Sequence, residues 1–337
     1  MFSHERIIVR RGPESGLPII VAVHSTKLGP ALGGCRLKAY GQWQDGLTDA
    51  LRLSAAMTDK CALAGLPNGG GKTVIVGPAT DPGLREAALH DAGTVIEELG
   101  GRYATGPDVG TGPDDMVTIG RRTSHVFCRP VGAGGSGDSS PGTAVGTVAA
   151  LRAVCAARFG SAALAGRCFA VIGLGRVGGR VARLLAEAGA KLVVTDVDPA
   201  LRPLADELGA TWTTPDEALT ADVDVVVPAA LGGVLTPAVV TALRCAAVAG
   251  PANNQLDTPA TADLLHARGI LWAPDYVVSA GGVISATAVE LHHDTPAQVA
   301  ARLDAIGTTL TTVFTNAERD HITPGAAAHH LSRARVG

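Results

Sequence analysis

The stretch CFAVIGLGRVGGRVARLLAEAGAKLVVTD, residues 168–196, decides the fold of the second half of the chain. It begins with an apolar run typical of a buried strand, continues through a glycine-rich turn into a helical segment at 178–188, and ends in another apolar strand at 191–196. Further strands are predicted at 221–228 and 246–250. Strands that alternate with helices at this spacing predict an α/β fold with a parallel sheet and helices on both faces.

The turn carries the pattern G-x-G-x-x-G, formed by Gly173, Gly175 and Gly178. Glycine allows the tight bend of such a turn, the close approach of the backbone to a pyrophosphate, and the close packing of the helix on the strand. Asp196 ends the following strand, where a carboxylate accepts hydrogen bonds from a ribose and repels a 2′-phosphate. The pattern therefore predicts binding of NAD rather than NADP. The alternative is an ordinary strand–helix turn with an exposed aspartate.

The first half of the chain has a different pattern. Apolar runs at 6–10 and 18–24 predict a hairpin, and an amphipathic helix is expected at about 45–62. The glycine segment 68–72 is expected to be a loop that aims Lys72 into a cleft and leads into a strand. It does not match a P-loop, because the fifth residue before Gly71 is leucine where that motif requires glycine.

Two lysines and an aspartate are the candidate chemical groups of this half. Lys60 ends the predicted helix, twelve residues before Lys72. Two lysines that converge on one pocket would lower the pKa of at least one of them, and such a lysine can act as a base. Asp108 stands in the rigid turn TGPDVGT. The alternatives are solvated surface lysines and an ordinary turn aspartate.

Composition limits the classes of partner and the domain count. With 28 Lys+Arg against 31 Asp+Glu, the net charge is −3, which argues against nucleic acid or a membrane as partner. A chain of 337 residues favours two domains, and the Gly/Ser-rich segment 131–142 is the candidate boundary. Six scattered cysteines and the absence of a signal-like start predict a cytoplasmic location. The adjacent histidine pairs lack metal-site spacing, so no metal is predicted.

The chain also resembles a known family, the amino acid dehydrogenases that act on leucine, valine and phenylalanine and are relatives of glutamate dehydrogenase. The matching stretches run in the family's order and are 28–36 (LGPALGGCR), 57–72 (MTDKCALAGLPNGGGK), 105–111 (TGPDVGT), 140–145 (SPGTAV), 173–178 (GLGRVG), 230–234 (ALGGV), 252–256 (ANNQL) and 275–284 (DYVVSAGGVI). The resemblance implies a two-domain α/β protein with a deep cleft between the domains. A substrate-binding and oligomerisation domain would cover 1–135, completed by helices at about 305–337, and a Rossmann-type NAD-binding domain would cover 136–304.

The same resemblance implies the activity and the roles of individual residues. The implied reaction is the NAD-dependent, reversible oxidative deamination of an apolar L-amino acid, and the implied assembly is a homo-oligomer. Lys72 and Asp108 would be catalytic, and Lys60 would bind the substrate carboxylate. The other implied substrate residues are Gly33, Gly34, Leu32, Met57, Gly106, Asn254, Val283 and Ala286. The implied cofactor residues are Gly173, Gly175, Val177, Gly178, Asp196, Thr143, Ala229 and Asn253.

The small or apolar pocket residues bear on substrate choice. None of Leu32, Met57, Gly106, Val283 and Ala286 could anchor a second carboxylate, which favours an apolar substrate over glutamate. Glycine at 106 and alanine at 286 favour a bulky or aromatic side chain, whereas valine at 283 resembles the leucine enzymes. The alternatives are a leucine or valine dehydrogenase proper, or a catalytically silent NAD-binding sensor.

Overall fold

The computed structural model describes residues 3–78 and 80–337. It divides into two compact units. The first unit consists of Met1–Ser139, Ser285–Pro296 and Ser332–Gly337, and the second consists of Ser140–Ile284 and Ala297–Leu331. The change of unit at Ser139 falls inside the Gly/Ser-rich segment that predicted the boundary.

The first unit contains a five-stranded sheet in the order β1-β2-β4-β3-β5. Strands β3, β4 and β5 are parallel, whereas β2 is antiparallel to both of its neighbours. The predicted hairpin is the β1–β2 pair. The elements in chain order are β1 (Arg6–Arg11), β2 (Pro18–Ser25), β3 (Ala31–Lys38), α1 (Trp43–Leu63), β4 (Gly69–Val76), α2 (Pro82–Glu97), β5 (Tyr103–Pro107) and α3 (Pro113–Gly120), with a short 3₁₀ turn at Val131–Ala133 and a π-helical turn at Ala288–His292.

Two apolar clusters cover the two faces of this sheet. Ile19 and Ile75 belong to the cluster that packs under α2 and α3, whereas Ile20 and Val74 belong to the cluster under α1. Successive side chains of a strand point to opposite faces, so one run of buried residues supplies both cores. Residue number along β4 therefore gives the face: odd positions face α2 and even positions face α1.

The glycine segment before Lys72 is strand, so the predicted loop at 68–72 is wrong. Strand β4 begins at Gly69 and is buried along its whole length. A Cβ at Gly69 would lie 1.7 Å from the carbonyl oxygen of Ser25, and one at Gly70 would lie 2.1 Å from the backbone nitrogen of Thr58. At Gly71 it would lie 2.5 Å from the ring of Tyr103. Glycine is generally disfavoured in strands, but here only glycine lets the backbones of β2 and α1 and the Tyr103 ring of β5 approach β4 so closely.

The second unit contains a parallel six-stranded sheet in the order β11-β10-β9-β6-β7-β8. The parallel sheet predicted from the alternation of strands and helices is confirmed. The elements in chain order are α4 (Ser140–Phe159), β6 (Cys168–Ile172), α5 (Gly178–Glu187), β7 (Lys191–Thr195), a 3₁₀ turn (Pro199–Leu201), α6 (Arg202–Glu207), β8 (Thr211–Trp212), α7 (Pro215–Leu219), β9 (Val225–Pro228), α8 (Pro237–Ala242), β10 (Ala247–Val248), α9 (Thr261–Ala267), β11 (Leu271–Trp272), α10 (Asp275–Val278), α11 (Gly281–Thr287), α12 (Pro296–Asp320) and α13 (Pro324–Val336).

The strand order reverses beside β6. The chain moves outward from β6 through β7 to β8, and then returns to β9 on the other side of β6. In an open parallel sheet, ligands bind at the carboxyl ends of the strands next to such a reversal. Here these ends are Ile172 and Pro228, and the backbone N–H of Ala229 donates to the Ile172 carbonyl at 2.9 Å.

The C-terminal helices divide differently from the predicted domains. The helices from about 305 were expected to complete the first domain, but the chain from Ala297 to Leu331 belongs to the second unit. Helix α12 packs there on α4, since a Cβ at Gly146 would lie 2.6 Å from the side chain of Ile306. Only Ser332–Gly337 returns to the first unit. Within residues 3–78 and 80–337, none of the helices combines the length and apolar character needed to span a membrane.

The packing of β4 against α1 predicts that Gly70→Ala destabilises the first unit. Because the new methyl group would meet backbone atoms of α1, we expect a loss of about 1–3 kcal/mol in the free energy of unfolding. Urea denaturation of the full chain measures this loss. Gly132→Ala is the matched control, since a Cβ there meets no atom within 4 Å. Equal stability of the two variants would contradict the packing argument.

Candidate functional site

The first unit brings Lys72 and Asp108 into direct contact. Lys72 lies in the middle of β4 and Asp108 follows the last residue of β5, and Lys72 Nζ is 2.7 Å from Asp108 Oδ2. Lys72 is only 5% exposed. The hydroxyl of Thr111 accepts from the Asp108 N–H at 3.0 Å and donates to the carbonyl of Cys35 at 2.7 Å, which fixes the turn that carries the carboxylate.

An arginine joins this pair. Arg36 Nε donates to Asp108 Oδ2 at 2.8 Å, and Arg36 Nη1 donates to Asp49 Oδ2 at 2.6 Å. Asp49 lies on α1 and also accepts from the hydroxyl of Tyr40 at 2.7 Å and from Arg52 Nη2 at 2.9 Å. The candidate site is thus a mostly buried network of alternating cations and carboxylates.

Two glycines of β3 make room, one for the Lys72–Asp108 pair and the other for the backbone of β4. Gly34 shares the α1-covered face of the sheet, and a Cβ there would lie 2.7 Å from the Cβ of Asp108 and 3.2 Å from Lys72 Nζ. At Gly33 a Cβ would lie 1.8 Å from the carbonyl oxygen of Gly71. A side chain at Gly34 would displace Asp108 and the Lys72 ammonium, whereas one at Gly33 would displace the backbone of β4. Backbone therefore forms one wall of the space around the lysine and the carboxylate.

Burial and charge act on the two titratable groups in different ways. Burial lowers the pKa of Lys72, and Asp108 opposes this effect without cancelling it, so the pKa lies below the ordinary lysine value. Burial alone would raise the pKa of Asp108, but Lys72 and Arg36 together keep it below the ordinary value. The site therefore combines a firmly ionised carboxylate with a lysine that gives up its proton more easily than a solvated one.

The other predicted substrate residues of the first unit lie on β3, α1 and α11. Lys60 and Met57 lie on α1 and are half-buried, and Leu32 is fully buried on β3. Ala286 is buried in the last turn of α11. Val283 lies on the same helix but belongs to the second unit, as does Asn254.

Gly106 packs against an aromatic ring. A Cβ at Gly106 would lie 2.4 Å from Cε2 of Phe127, and Phe127 is 6% exposed. The backbone places the ring there, because the Phe127 N–H donates to the carbonyl of Thr105 at 3.0 Å beside β5. The space that the glycine leaves is thus filled by Phe127, and any room for a substrate side chain depends on both residues.

A buried glutamate fixes the segment that carries Ala286. Only 1% of the Glu290 side chain is exposed, and its carboxylate accepts from the N–H of Cys128 at 2.7 Å, from the N–H of Ser136 at 2.9 Å and from Arg129 Nε at 2.8 Å. The hydroxyl of Ser136 in turn donates to the Ala286 carbonyl at 3.0 Å. Glu290 therefore ties residues 128–136 to the segment 285–296.

In the second unit the predicted glycine turn lies at the carboxyl end of β6. Gly173 has φ +102°, and a Cβ at Gly178 would lie 1.9 Å from the carbonyl oxygen of Gly173. A Cβ at Gly175 would meet no atom within 4 Å, so the turn is open on that side. Val177 precedes the first turn of α5. The arrangement presents the amino end of a helix to an anion beside the strand reversal.

Asp196 directly follows β7 and lies next to this turn. Its Oδ2 accepts from the N–H of Leu174 at 2.6 Å, and its Oδ1 accepts from the N–H of Asp198 at 2.9 Å. These contacts hold the carboxylate beside the glycine turn. The residues present therefore fit an adenosine dinucleotide, with backbone amides for the pyrophosphate and a carboxylate for the ribose.

The remaining predicted cofactor residues also belong to the second unit. Ala229 follows β9, Thr143 is buried in the first turn of α4, and Asn253 and Asn254 form an exposed turn after β10. Ser279 Oγ donates to Asn253 Oδ1 at 3.2 Å. The serine therefore helps to order this turn.

Sequence reasoning assigned no role to Arg36, Asp49, Phe127 or Glu290. A signal for Arg36 was available, since it stands two residues after Gly34 and strand alternation places both on one face. Nothing comparable points to Asp49, Phe127 or Glu290, because the residues that they contact, Arg36, Gly106 and Arg129, lie on other elements or loops. Their contacts depend on which elements pack together.

The contact at Gly106 predicts a strong coupling between Gly106→Ala and Phe127→Ala. Alone, Gly106→Ala should cost about 1–3 kcal/mol, because the methyl group overlaps the ring. In a chain that already carries Phe127→Ala, the same change should cost much less. A double-mutant cycle by urea denaturation measures the coupling. Additive losses would show that the ring does not fill the space beside Gly106.

Three family models match the chain. Residues 4–125 match the dimerisation domain of the Glu/Leu/Phe/Val dehydrogenases, and residues 201–336 match the Glutamate/Leucine/Phenylalanine/Valine dehydrogenase model. Residues 150–242 match the NAD binding domain of the D-isomer specific 2-hydroxyacid dehydrogenases. This last match covers the glycine turn and Asp196, so it agrees with the prediction of a Rossmann-type NAD-binding domain.

Relatives match along nearly the whole chain. A phenylalanine dehydrogenase of Caldalkalibacillus thermarum is 41% identical over 99% of this chain and 91% of its own length. A leucine dehydrogenase of Geobacillus stearothermophilus is 40% identical with the same coverage. Among solved structures, an L-tryptophan dehydrogenase from Nostoc punctiforme superposes with a TM-score of 0.89 at 34% identity, covering 99% of this chain and 96% of that one. The chain therefore belongs to the Glu/Leu/Phe/Val dehydrogenase family.

Proposed function

We propose that this protein catalyses the NAD-dependent, reversible oxidative deamination of an apolar L-amino acid. The amino acid, NAD⁺ and water give the 2-oxo acid, ammonium, NADH and a proton. The observation that carries the proposal is the buried contact of 2.7 Å between Lys72 and Asp108, in which the lysine has a lowered pKa. Imine hydrolysis needs a base and a proton carrier side by side, and these two groups can supply them.

Residues of the second unit would hold the cofactor. Gly173, Gly175 and Gly178 would cradle the pyrophosphate, and Asp196 would accept hydrogen bonds from the adenosine ribose. The remaining cofactor contacts would come from Val177, Thr143, Ala229 and Asn253. Bound NAD⁺ supplies the hydride acceptor for the oxidation of the substrate's α-carbon.

Lys72 would act as the base in its neutral form. Its Nζ takes a proton from the water that attacks the substrate iminium, and as an ammonium it then stabilises the oxygen of the developing carbonyl. Asp108 rests as a carboxylate; it takes a proton from the substrate amino group, becomes a carboxylic acid for a moment, and returns the proton to the departing ammonia. The lowered pKa of Lys72 makes the neutral amine available at a lower pH than for a solvated lysine.

Substrate recognition would begin at the carboxylate. Lys60 would bind it by charge, and Gly33 and Gly34 would let it approach the backbone, because neither has a side chain in the way. Asn254 would contribute a further polar contact. The missing side chain at Gly34 also leaves room for the Lys72 ammonium.

The substrate side chain would meet Leu32, Met57, Gly106, Val283 and Ala286, none of which offers a charge for a second carboxylate. We favour a bulky or aromatic, phenylalanine-like side chain, with leucine and valine as the alternative. The relatives named phenylalanine and leucine dehydrogenase and the structural neighbour named tryptophan dehydrogenase support an apolar substrate. Since Phe127 occupies the space beside Gly106, the position of its ring would influence the choice.

Oligomerisation and location are parts of the same proposal. The match of residues 4–125 to a dimerisation domain supports a homo-oligomer, dimeric or larger. A cytoplasmic location follows from the sequence prediction. We propose neither nucleic acid nor a membrane as a partner.

The proposed base predicts that Lys72→Ala abolishes turnover but leaves NAD⁺ binding intact. We expect kcat to fall by about 10²–10⁴-fold, because the proton acceptor for water is lost. The assay follows NADH formation at alkaline pH over a panel of L-amino acids, with NAD⁺ affinity measured by calorimetry. Lys191→Ala removes an exposed lysine of the second unit and serves as the control. Undiminished turnover by Lys72→Ala would refute the assigned role.

The contacts of Asp196 predict a change of cofactor preference in Asp196→Asn. Asparagine can still accept from the Leu174 N–H, but it no longer repels a 2′-phosphate. We expect the preference for NAD⁺ over NADP⁺, as the ratio of kcat/KM values, to fall about tenfold or more. Asp222→Asn, at an exposed position of the same unit, should leave the ratio unchanged. An unaltered ratio in Asp196→Asn would place the ribose contact elsewhere.

A further inference from the structure

Arg36 connects the Lys72–Asp108 pair to a second carboxylate on α1. It donates through Nε to Asp108 and through Nη1 to Asp49, both within 2.8 Å. Only 13% of the Arg36 side chain and 14% of the Asp49 side chain are exposed. Because a guanidinium group is planar and its donors have fixed directions, contacts with two carboxylates leave it little freedom to rotate.

The far end of this connection is held from two more sides. Tyr40 donates its hydroxyl to Asp49 Oδ2 at 2.7 Å, and Arg52 donates to Asp49 Oδ1 at 2.9 Å. Burial, together with the contact to Asp49, raises the pKa of Tyr40 to about 12, so the hydroxyl keeps its proton at the pH of an alkaline assay. Arg36 is therefore anchored by Asp49 of α1, whose carboxylate is itself held by Tyr40 and Arg52.

The near end of the connection sets the charge balance at the lysine. Lys72 and Arg36 both contact Asp108 Oδ2, so the carboxylate divides its attraction between two cations. The groups that act on Lys72 are Asp108, Arg36 and the buried thiol of Cys35. Burial lowers the pKa of Lys72, Asp108 raises it, and the positive charge of Arg36 adds to the lowering.

We propose that Arg36 is the positioning residue of this site. It is anchored to Asp49, which also accepts a hydrogen bond from Tyr40, and it holds the Asp108 carboxylate in one orientation. Because Asp108 contacts Arg36 as well as Lys72, its charge is shared between them, which lets Lys72 serve as the base. Arg36 acts through Asp108 and Lys72 rather than on the reacting atoms. The proposal deepens the proposed function and rests on it, since it needs Lys72 as a base.

The first test is the pH dependence of kcat/KM in Arg36→Gln. Removing the cation removes its repulsion of Lys72 and also leaves Asp108 with a single cation, and both effects favour the protonated lysine. We expect the rising limb of the profile to move to higher pH by about half a unit or more. Arg36→Lys keeps the charge but replaces two donor nitrogens in fixed directions by a single one. We therefore expect kcat to fall, while the rising limb of the pH profile stays close to that of the unchanged protein.

Asp49→Asn tests the same pH profile with a change of opposite charge. It removes the negative charge that contacts Arg36 on the side away from Asp108, so the rising limb of the kcat/KM profile should not move to higher pH. We still expect kcat to fall, because Arg36 loses an anchor. Glu98→Gln breaks the exposed ion pair with Arg10 in the same unit and is the control for a lost surface contact. An unmoved limb in Arg36→Gln, or equal upward shifts in Arg36→Gln and Asp49→Asn, would overturn the proposal, because general loosening of the site would produce either result.

A second measurement needs no turnover. Trace labelling of the full chain with acetic anhydride across a pH range, read by mass spectrometry at Lys72, follows the neutral amine directly. Arg36→Gln should move the midpoint of labelling to higher pH, and Arg36→Lys should restore it. If the unchanged protein oxidises no amino acid, the proposed function fails, and labelling still decides on Arg36. A labelling midpoint that Arg36→Gln leaves in place would refute the assignment of Arg36.

Discussion

The close approach of backbones around β4 is the constraint on which the first unit depends. Three consecutive glycines let β2, α1 and β5 come nearer than any side chain would permit, with distances of 1.7–2.5 Å to a Cβ that is not there. Lys72 follows these glycines directly, so its ammonium emerges from a buried strand rather than from a mobile loop. The same principle recurs on β3, where Gly34 leaves room for the ammonium and for Asp108, and Gly33 leaves room for the backbone of β4. Packing thus determines where the charged groups can stand.

Burying such groups is costly, and the network limits the cost. An isolated buried ammonium would lose its proton, and an isolated buried carboxylate would gain one. Contact between Lys72 and Asp108 stabilises both charges, and Arg36 shifts the balance so that the carboxylate stays ionised while the lysine keeps a lowered pKa. The second unit presents backbone amides of the glycine turn for an anion. The carboxylate of Asp196, held by the Leu174 N–H, lies beside them next to the strand reversal. The first unit offers proton chemistry and the second offers a dinucleotide site.

How much the sequence could predict depended on whether a pattern was local. Residues 168–196 form a complete strand–turn–helix–strand unit, so the parallel sheet and the glycine turn followed from that stretch alone. Lys72 and Asp108 could be singled out, but their contact required the strand order, which pairs β3 with both β4 and β5. The start of β4 was missed because glycine propensity argues against a strand, while the steric need for glycine is visible only after folding. Strand alternation places Arg36 on the same face as Gly34, but its contacts with Asp108 and Asp49 could not be predicted, because both carboxylates lie outside β3. The division of the C-terminal helices depended on which helix Ile306 packs against.

The most direct measurement of the central claim is the titration of the Lys72 side chain in the full-length protein, followed by the ¹⁵N resonance of its amine and assigned with Lys72→Arg. The account predicts a midpoint below the ordinary lysine value of 10.5, because burial and Arg36 outweigh the attraction of Asp108. A midpoint at or above 10.5 would mean that the lysine is solvated or simply ion-paired, and it would contradict the assignment of Lys72 as the base.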